Sequence, residues 1–183
     1  MNVAQVFPID DPDYSVCTLQ PAQTEPLQKL FAQCADFTWL VEGEEVNPNA
    51  AREILRSVPA GRLQRDKFLY GFLDRDEAII GVLEGLRDYP DDAIWWVGLL
   101  LLAPETRGHG VGRKIMEAFS EYVRLEKGTA IMLGVVDENQ AAYRFWRGLG
   151  FELVRQTEPR LIGRKTQKVN VMRRELIKEN LVP

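Results

Sequence analysis

Apolar residues recur along this chain in two ways: at helical spacing in some segments and as short β-rich runs in others. Val16–Leu19 is a short candidate strand, and Pro21–Cys34 carries its apolar residues at helical spacing. Asn47 and Pro48 predict the start of a second helix, because Asn caps helices and Pro suits their first turn. The run Pro59-Ala60-Gly61 is expected to end that helix.

The middle of the chain predicts three strands in succession. Phe68–Leu73 and Ile79–Leu86 flank an Asp-Arg-Asp-Glu segment, and this arrangement favours a hairpin. After a further turn, Ile94–Leu102 is apolar at nearly every position. Such a run is typical of a central strand that is covered on both faces.

The second half of the chain predicts alternating strands and helices. Gly110–Lys127 has a helical apolar stripe, Ala130–Val136 is β-rich, and Gln140–Leu149 is a short amphipathic helix. Phe151–Arg155 and Gln167–Arg173 are expected to be two strands that pair with each other. The order of elements predicts an α+β fold with one mixed, mostly antiparallel sheet of about six or seven strands, flanked by helices.

Composition narrows the function classes. The 183 residues predict a single domain over positions 1–183, and a net charge of −4 gives no basic field for nucleic acid or an anionic membrane. The longest apolar run, Ile94–Ala103, is too short to cross a bilayer. The first residues lack an apolar signal region, so we expect a cytoplasmic protein. Two cysteines without a CxxC spacing and the single histidine, His109, predict no metal site.

A glycine-rich segment follows the central strand and opens the next helix. Pro104 turns the chain away from the strand, and the glycines let the backbone approach a ligand closely. Backbone N–H groups at a helix N-terminus can converge on an anion, and flanking arginines add positive charge. The candidate anion contacts are Arg107, Gly108, His109, Gly110, Val111, Gly112 and Arg113.

Two phosphate-binding loops of other families do not fit this segment. A P-loop needs Lys-Ser or Lys-Thr after its last glycine, whereas Arg113-Lys114 follows here. A dinucleotide fingerprint needs a GxGxxG frame, but Gly108, Gly110 and Gly112 are out of that frame. A glycine-rich turn that binds no ligand stays open as an alternative.

Two motifs in this half of the chain resemble those of the GNAT superfamily of acyl-CoA N-acyltransferases. Arg107-x-x-Gly110-x-Gly112 resembles its pyrophosphate signature, Gln/Arg-x-x-Gly-x-Gly/Ala. The run Asn-Gln-Ala-Ala-Tyr-Arg-Phe-Trp-Arg-Gly-Leu-Gly-Phe at 139–151 resembles its second motif, Asn-x-x-Ala-x-x-Tyr/Phe-x-x-x-Gly-Phe. Both motifs occur in order on the expected elements, within residues 94–151.

The resemblance implies acetyl-CoA as co-substrate and an acetyl transfer to a primary amine by direct attack. Pantetheine would lie between the splayed central strands and pair with backbone groups of Leu100 and Leu102. The Leu100 N–H would stabilise the oxyanion, and Tyr143 would protonate the leaving thiolate. Asn139 would bond the pantetheine arm. Further cofactor contacts implied by the second motif are Ala142 and Trp146.

Each assigned role has a simpler structural alternative. Tyr143 can be a packed tyrosine of an amphipathic helix, and Asn139 can be a plain helix N-cap. His109 is more typical of an exposed loop imidazole that adds at most a supplementary phosphate contact. Trp146 suits packing against the core and the cofactor wall.

The central strand departs from the family pattern. Many members carry a glutamate early in this strand as the general base, but this chain has Trp-Trp-Val-Gly at 95–98. Glu84 on the neighbouring strand is the candidate replacement; alternatively Glu84 is a solvated strand residue and the chain has no dedicated base. A non-catalytic acyl-CoA-binding sensor or regulatory module is therefore a second interpretation of the chain.

The acceptor side is expected to come mainly from residues 20–92. Acidic residues there, at 42–45 and 88–92, would favour a cationic amine, although acidic surface loops are common. Tryptophans such as Trp39 can wall an apolar pocket or simply pack. The partner is expected to be a small-molecule or peptide amine, and the family resemblance is compatible with a homodimer.

Overall fold

The computed structural model describes residues 6–176 and contains an α+β fold. Its strands are β1 (Ser15–Thr18), β2 (Lys67–Leu73), β3 (Ile79–Leu86), β4 (Ile94–Leu102), β5 (Ala130–Val136), β6 (Glu152–Gln156), β7 (Arg160–Ile162), β8 (Lys165–Gln167) and β9 (Val169–Glu175). Its α-helices are α1 (Thr24–Gln33), α2 (Ala35–Glu42), α3 (Ala50–Arg56), α4 (Val111–Leu125) and α5 (Gln140–Gly148).

Seven strands form one sheet in the order β1-β2-β3-β4-β5-β9-β6. All neighbouring pairs in it are antiparallel except β4 and β5, which run parallel. The predicted mixed, mostly antiparallel sheet is therefore confirmed, and so are the hairpin of β2 and β3 and the pairing of β6 with β9. The strands β7 and β8 form a separate hairpin.

Helices cover both faces of the sheet because each helix has one apolar side. The apolar stripe of α4, which includes Val111, Ile115 and Phe119, is buried in the larger core cluster together with residues of α5. On the other face, Leu27 and Leu30 of α1 pack in a second cluster with Leu69, Val82 and Leu101 of the sheet. β4 is fourth of the seven strands and contributes to both clusters, as its apolar sequence predicts.

The two parallel strands separate part of the way along their length. β4 and β5 pair only from Ile94 opposite Ala130 to Val97 opposite Leu133, although both strands continue further. At this point the register between β3 and β4 shifts, and Gly98 has no partner on β3. The bulge therefore lies where β4 leaves β5. A β-bulge bends its strand, which accounts for the separation.

Three local predictions differ from the structure. The segment Ala35–Glu42 forms the unpredicted helix α2, because Cys34 bends the chain (φ −96°, ψ 27°) without stopping helical structure. Asn47 is not the cap of α3: its side chain accepts the N–H of Asn49 at 2.9 Å, and the helix begins only at Ala50. The stretch 156–166, expected to be a polar connection between two strands, contains β7 and most of β8, which form a hairpin.

Candidate functional site

The glycine-rich turn leaves the start of α4 open. Gly110 is the N-cap with φ +83° and Gly108 has φ +79°, in the left-handed region that favours glycine. A Cβ at either position would meet nothing within 4 Å. Among the described residues no side chain caps α4, and its first turn has no acid. The N–H groups of Val111 and Gly112 precede the first intrahelical bonds and can bind an anion.

Gly112 has a different role from its two neighbours in the motif. A Cβ there would lie 3.3 Å from Leu102 Cδ1 and 3.3 Å from Phe145 Cζ, closer than most real contacts. The absence of a side chain therefore lets α4 pack tightly against β4 and α5. Substituting Gly112 would disturb this packing as well as any ligand contact.

The guanidinium group of Arg107 binds protein atoms. Its Nε donates to the Leu102 carbonyl at 2.8 Å, and its two Nη atoms contact the Asp36 carboxylate of α2. Hydrogen bonding to Arg107 holds the pKa of Asp36 below its ordinary value. The Leu102 carbonyl also accepts from Cys34 Sγ at 3.3 Å. Sequence reasoning did not find Asp36, because it lies 71 positions from Arg107.

The other polar side chains of the turn are placed at the surface. Arg113 donates to the Gly148 carbonyl at 3.1 Å and lies 3.6 Å from Glu117. His109 is exposed. The backbone N–H groups, rather than the arginine side chains, are therefore the unoccupied donors at the start of α4 within the described part of the chain.

A cavity of about 150 Å³ lies where β4 and β5 separate. It brings together Leu100 of β4 with Asn139, Ala142 and Trp146 of the second motif, all predicted cofactor contacts. Tyr143 is half-buried, packs against the larger core cluster and does not line this cavity. Within residues 6–176 its hydroxyl has no hydrogen-bond partner, so the hydroxyl is not committed to another protein group.

The backbone of β4 beyond the bulge presents unpaired groups to this cavity. In a strand, the N–H and C=O groups of one residue point to one side, and those of the next residue point to the other side. The Ala103 N–H donates to the Ile80 carbonyl at 2.8 Å, towards β3. The backbone N–H and C=O groups of Leu102 and Leu100 therefore point away from β3. The Leu102 carbonyl is occupied by Arg107, whereas Leu100 lies past the end of the β4–β5 pairing.

Asn139 is the N-cap of α5, in agreement with the simpler interpretation of this residue. Its Oδ1 accepts the Ala142 N–H at 3.0 Å. The side-chain Nδ2 is not used in that bond. The residue lines the cavity, so capping α5 and contacting a ligand are compatible.

A larger cavity of about 540 Å³ lies on the opposite side of β4, beneath α1, α2 and α3. Phe37 and Leu99 line both cavities, so the two adjoin at the bulge. The walls of the larger cavity are mostly apolar. The charged residues that line it are Glu42, Glu53, Lys67 and Glu84.

Glu84 lines the larger cavity and approaches Gly98, which lines the smaller one. Its Oε1 is 3.3 Å from the ammonium nitrogen of Lys67, whose side chain is only 2% exposed. Its Oε2 lies 2.5 Å from the position that a Cβ on Gly98 would occupy. The glycine at the bulge thus makes room for this carboxylate. Nothing in the local sequence around Lys67 indicated this pairing.

Among the other acidic and aromatic candidates, some acids line the larger cavity, whereas the tryptophans lie elsewhere. Of the acids expected on the acceptor side, Glu42 lines the cavity, and burial raises its pKa, with a smaller contribution from Glu44. Glu53 lines it too and was not predicted. The tryptophans do not line it: Trp39 is 63% exposed and Trp95 is buried in the larger core cluster.

The described residues contain neither a metal-binding group of side chains nor a membrane-spanning helix. Among residues 6–176 no three His, Cys, Asp or Glu side chains lie in a group that could hold a metal ion. Across the same residues, every helix is too short or too polar to span a bilayer.

Comparisons with solved structures show the fold. An acetyltransferase from Thermus thermophilus superposes with a TM-score of 0.74 at 18% identity, covering 94% of this chain and 99% of that one. A spermidine N-acetyltransferase from Vibrio cholerae, in complex with CoA and spermine, has a TM-score of 0.71 at 17% identity, with coverage of 91% and 97%.

A third similar structure has a different acceptor in its description. It is the ribosomal-protein-S18-alanine N-acetyltransferase from Escherichia coli, with a TM-score of 0.65 at 11% identity and coverage of 93% and 99%. The same fold thus serves a polyamine in one protein and a protein alanine in another, so it does not select the acceptor.

A comparison with curated protein sequences found no match. The model of the acetyltransferase (GNAT) family, in contrast, matches residues 13–151, which is well over half of the chain. That match extends the resemblance from the two motifs to the helices α1 to α3 and the strands β1 to β3. The chain belongs to the GNAT acetyltransferase family.

Proposed function

We propose that this protein transfers an acetyl group from acetyl-CoA to a primary amine by direct attack, with the 150 Å³ cleft for the thioester end and the 540 Å³ cavity for the acceptor. The observation that carries the proposal is the junction of the two cavities at Phe37, Leu99 and the Gly98 bulge. A donor and an acceptor entering from opposite sides of β4 would meet there.

The residues present fit the co-substrate. The open N–H groups of Val111 and Gly112 suit a pyrophosphate, because they lie at a helix N-terminus with no acid in its first turn. The Leu100 backbone and the Asn139 side chain suit the amide-rich pantetheine arm. Acetyl-CoA supplies an acyl carbon on a good leaving group: the amine forms a C–N bond as the C–S bond breaks, releasing CoA.

Three groups would assist the reaction. The Leu100 N–H would donate to the oxygen that becomes negative during attack. Glu84 would accept the proton that the amine loses, directly or through a water. The Tyr143 hydroxyl would donate a proton to the departing sulfur, and both side chains would exchange protons with solvent afterwards.

The lining of the larger cavity supports an amine as the acceptor. Glu42 and Glu53 have no ion pair within the described part of the chain, so they contribute negative charge beside apolar walls. A cationic group next to these carboxylates would be stabilised electrostatically. The V. cholerae structure contains spermine, which supports including polyamines among the amines tested.

The test is an assay of CoA release from acetyl-CoA with a panel of polyamines, amino acids, aminoglycosides and peptides. Catalysis predicts release that depends on one class of amine and a product heavier by one acetyl group. Isothermal titration with CoA accompanies the assay. Tight CoA binding without turnover of any amine would instead favour the acyl-CoA-binding module.

A further inference from the structure

Lys67 is a buried cation that carries no role in the proposal above. It is the first residue of β2, and its side chain is 2% exposed. The ammonium donates to the carbonyls of Ile54 at 2.6 Å and Ser57 at 2.8 Å, and lies 3.3 Å from Glu84 Oε1. The two carbonyls use two of the three N–H donors of the lysine, and the contact with Glu84 is an ion pair.

Two of these contacts fix the wall of the acceptor cavity. Ile54 lies in the last turn of α3 and Ser57 is its C-cap. Carbonyls at a helix C-terminus have no intrahelical partner. Lys67 satisfies two of them from the sheet below. It therefore fastens the end of α3 to β2, with the cavity between them.

The third contact fixes one oxygen of Glu84. Oε1 faces Lys67, whereas Oε2 lies beside Gly98 at the junction of the cavities. A carboxylate with one oxygen held by a buried cation has few orientations left. The free oxygen is therefore directed at the place where an acceptor amine would meet the thioester.

We infer that Lys67 is a positioning residue for Glu84, holding its carboxylate towards the Gly98 bulge while anchoring α3. The inference rests on the proposed acetyl transfer and on Glu84 as its base. The competing role is purely structural: Lys67 would then act only through α3 and the shape of the cavity.

Gln28 offers a matched control for the structural role. Its Oε1 accepts the Ala51 N–H and its Nε2 donates to the Asn47 carbonyl, both at 3.0 Å. Gln28 thus fastens the beginning of α3 as Lys67 fastens its end, and it makes no contact with Glu84. Gln28→Leu loosens the cavity wall alone, whereas Lys67→Met also releases Glu84.

The experiment is steady-state kinetics with an acceptor from the amine panel, together with CoA titration of each variant. Lys67→Met should lower kcat by about tenfold to a hundredfold, since small misplacements of reacting groups have effects of this order. Its CoA Kd should stay within about twofold of wild type. Gln28→Leu should mainly raise the acceptor KM. A Lys67→Met variant that shares this KM-only profile would overturn the inference.

A double-mutant comparison tests whether Lys67 acts through Glu84. In a Glu84→Gln background, adding Lys67→Met should lower kcat little further, because the base it positions is already gone. If Lys67→Met does not fold, Lys67→Arg replaces it, since it retains the charge but displaces the carboxylate. An equal loss of kcat in both backgrounds would mean that Lys67 acts elsewhere. Full kcat in Glu84→Gln alone would instead refute Glu84 as the base.

Discussion

Arg107 and Asp36 form a two-pronged ion pair that joins the glycine-rich turn to α2. Arg107 Nη1 lies 2.5 Å from Asp36 Oδ2, and Nη2 lies 3.3 Å from Oδ1. Phe37, the next residue of α2, lines both cavities. The pair therefore connects the proposed phosphate-binding turn with the wall that the two cavities share.

We predict that Asp36→Asn is mildly destabilising at neutral pH. The Asp36 side chain is 62% exposed, so water screens the pair and its loss should lower the free energy of unfolding by about 1 kcal/mol or less. Urea unfolding at pH 7 measures this. Asp92→Asn, at an exposed aspartate without an ion pair within residues 6–176, is the control and should have no effect.

The effect of Asp36→Asn should also depend on pH. Arg107 holds the pKa of Asp36 below its ordinary 3.8, so the ion pair stabilises the fold above that pH. The stabilisation is lost as pH falls through the lowered value. The difference between wild type and variant should be constant from about pH 7 to 5 and shrink below about pH 4. A difference that grows towards acid pH would contradict this assignment.

Gly110→Ala should weaken CoA binding more than it destabilises the fold. Gly61 is a close match, with φ +80° against +83° and nothing within 4 Å of an added Cβ in either case. Each substitution should therefore lower the free energy of unfolding similarly, by about 1–2 kcal/mol. Only Gly110→Ala should reduce CoA affinity in a titration. Equal CoA affinities in the two variants would show that the pyrophosphate binds elsewhere.

The local parts of this site could be predicted from sequence, because they depend on neighbouring residues. Gly110 and Asn139 sit at helix starts that short motifs specify, and the alternation of Glu84 with Val82 indicated a strand residue on one face. The pairs that complete the site, Lys67 with Glu84 and Arg107 with Asp36, join different elements. Their partners follow only from the register of β2 with β3 and from the unpredicted helix α2.

Both cysteines should be unreactive in the folded protein. Burial raises the pKa of the Cys17 thiol and of the Cys34 thiol, so little thiolate forms at pH 8, and both side chains are inaccessible. A chromogenic disulfide reagent should detect no thiol in the native protein and two after unfolding in urea. Rapid labelling of a native thiol would show that the core cluster that contains Cys17 and Cys34 opens readily.

The substitution Tyr143→Phe tests whether the Tyr143 hydroxyl protonates the leaving thiolate. Tyr143→Phe deletes one hydroxyl that makes no hydrogen bond within the described residues, so folding and CoA affinity should hardly change. If the hydroxyl protonates the leaving thiolate, kcat should fall by about a hundredfold to ten-thousandfold at unchanged KM. Steady-state kinetics with the identified amine measures both constants.

Tyr122→Phe separates chemistry from packing in this comparison. The Tyr122 hydroxyl bonds Arg87 at 3.3 Å in the aromatic cluster beneath α4, away from both cavities. Loss of the Tyr122 hydroxyl should lower the free energy of unfolding by about 1 kcal/mol, because a partly buried hydrogen bond is broken. It should leave kcat within about twofold of wild type, since no transition-state contact is lost. The two variants should therefore show opposite profiles: Tyr143→Phe lowers kcat, and Tyr122→Phe lowers the free energy of unfolding.

If Tyr143→Phe keeps kcat within about twofold as well, the thiolate leaves unassisted or takes its proton from water. Tyr143 would then serve only to pack α5 against the core.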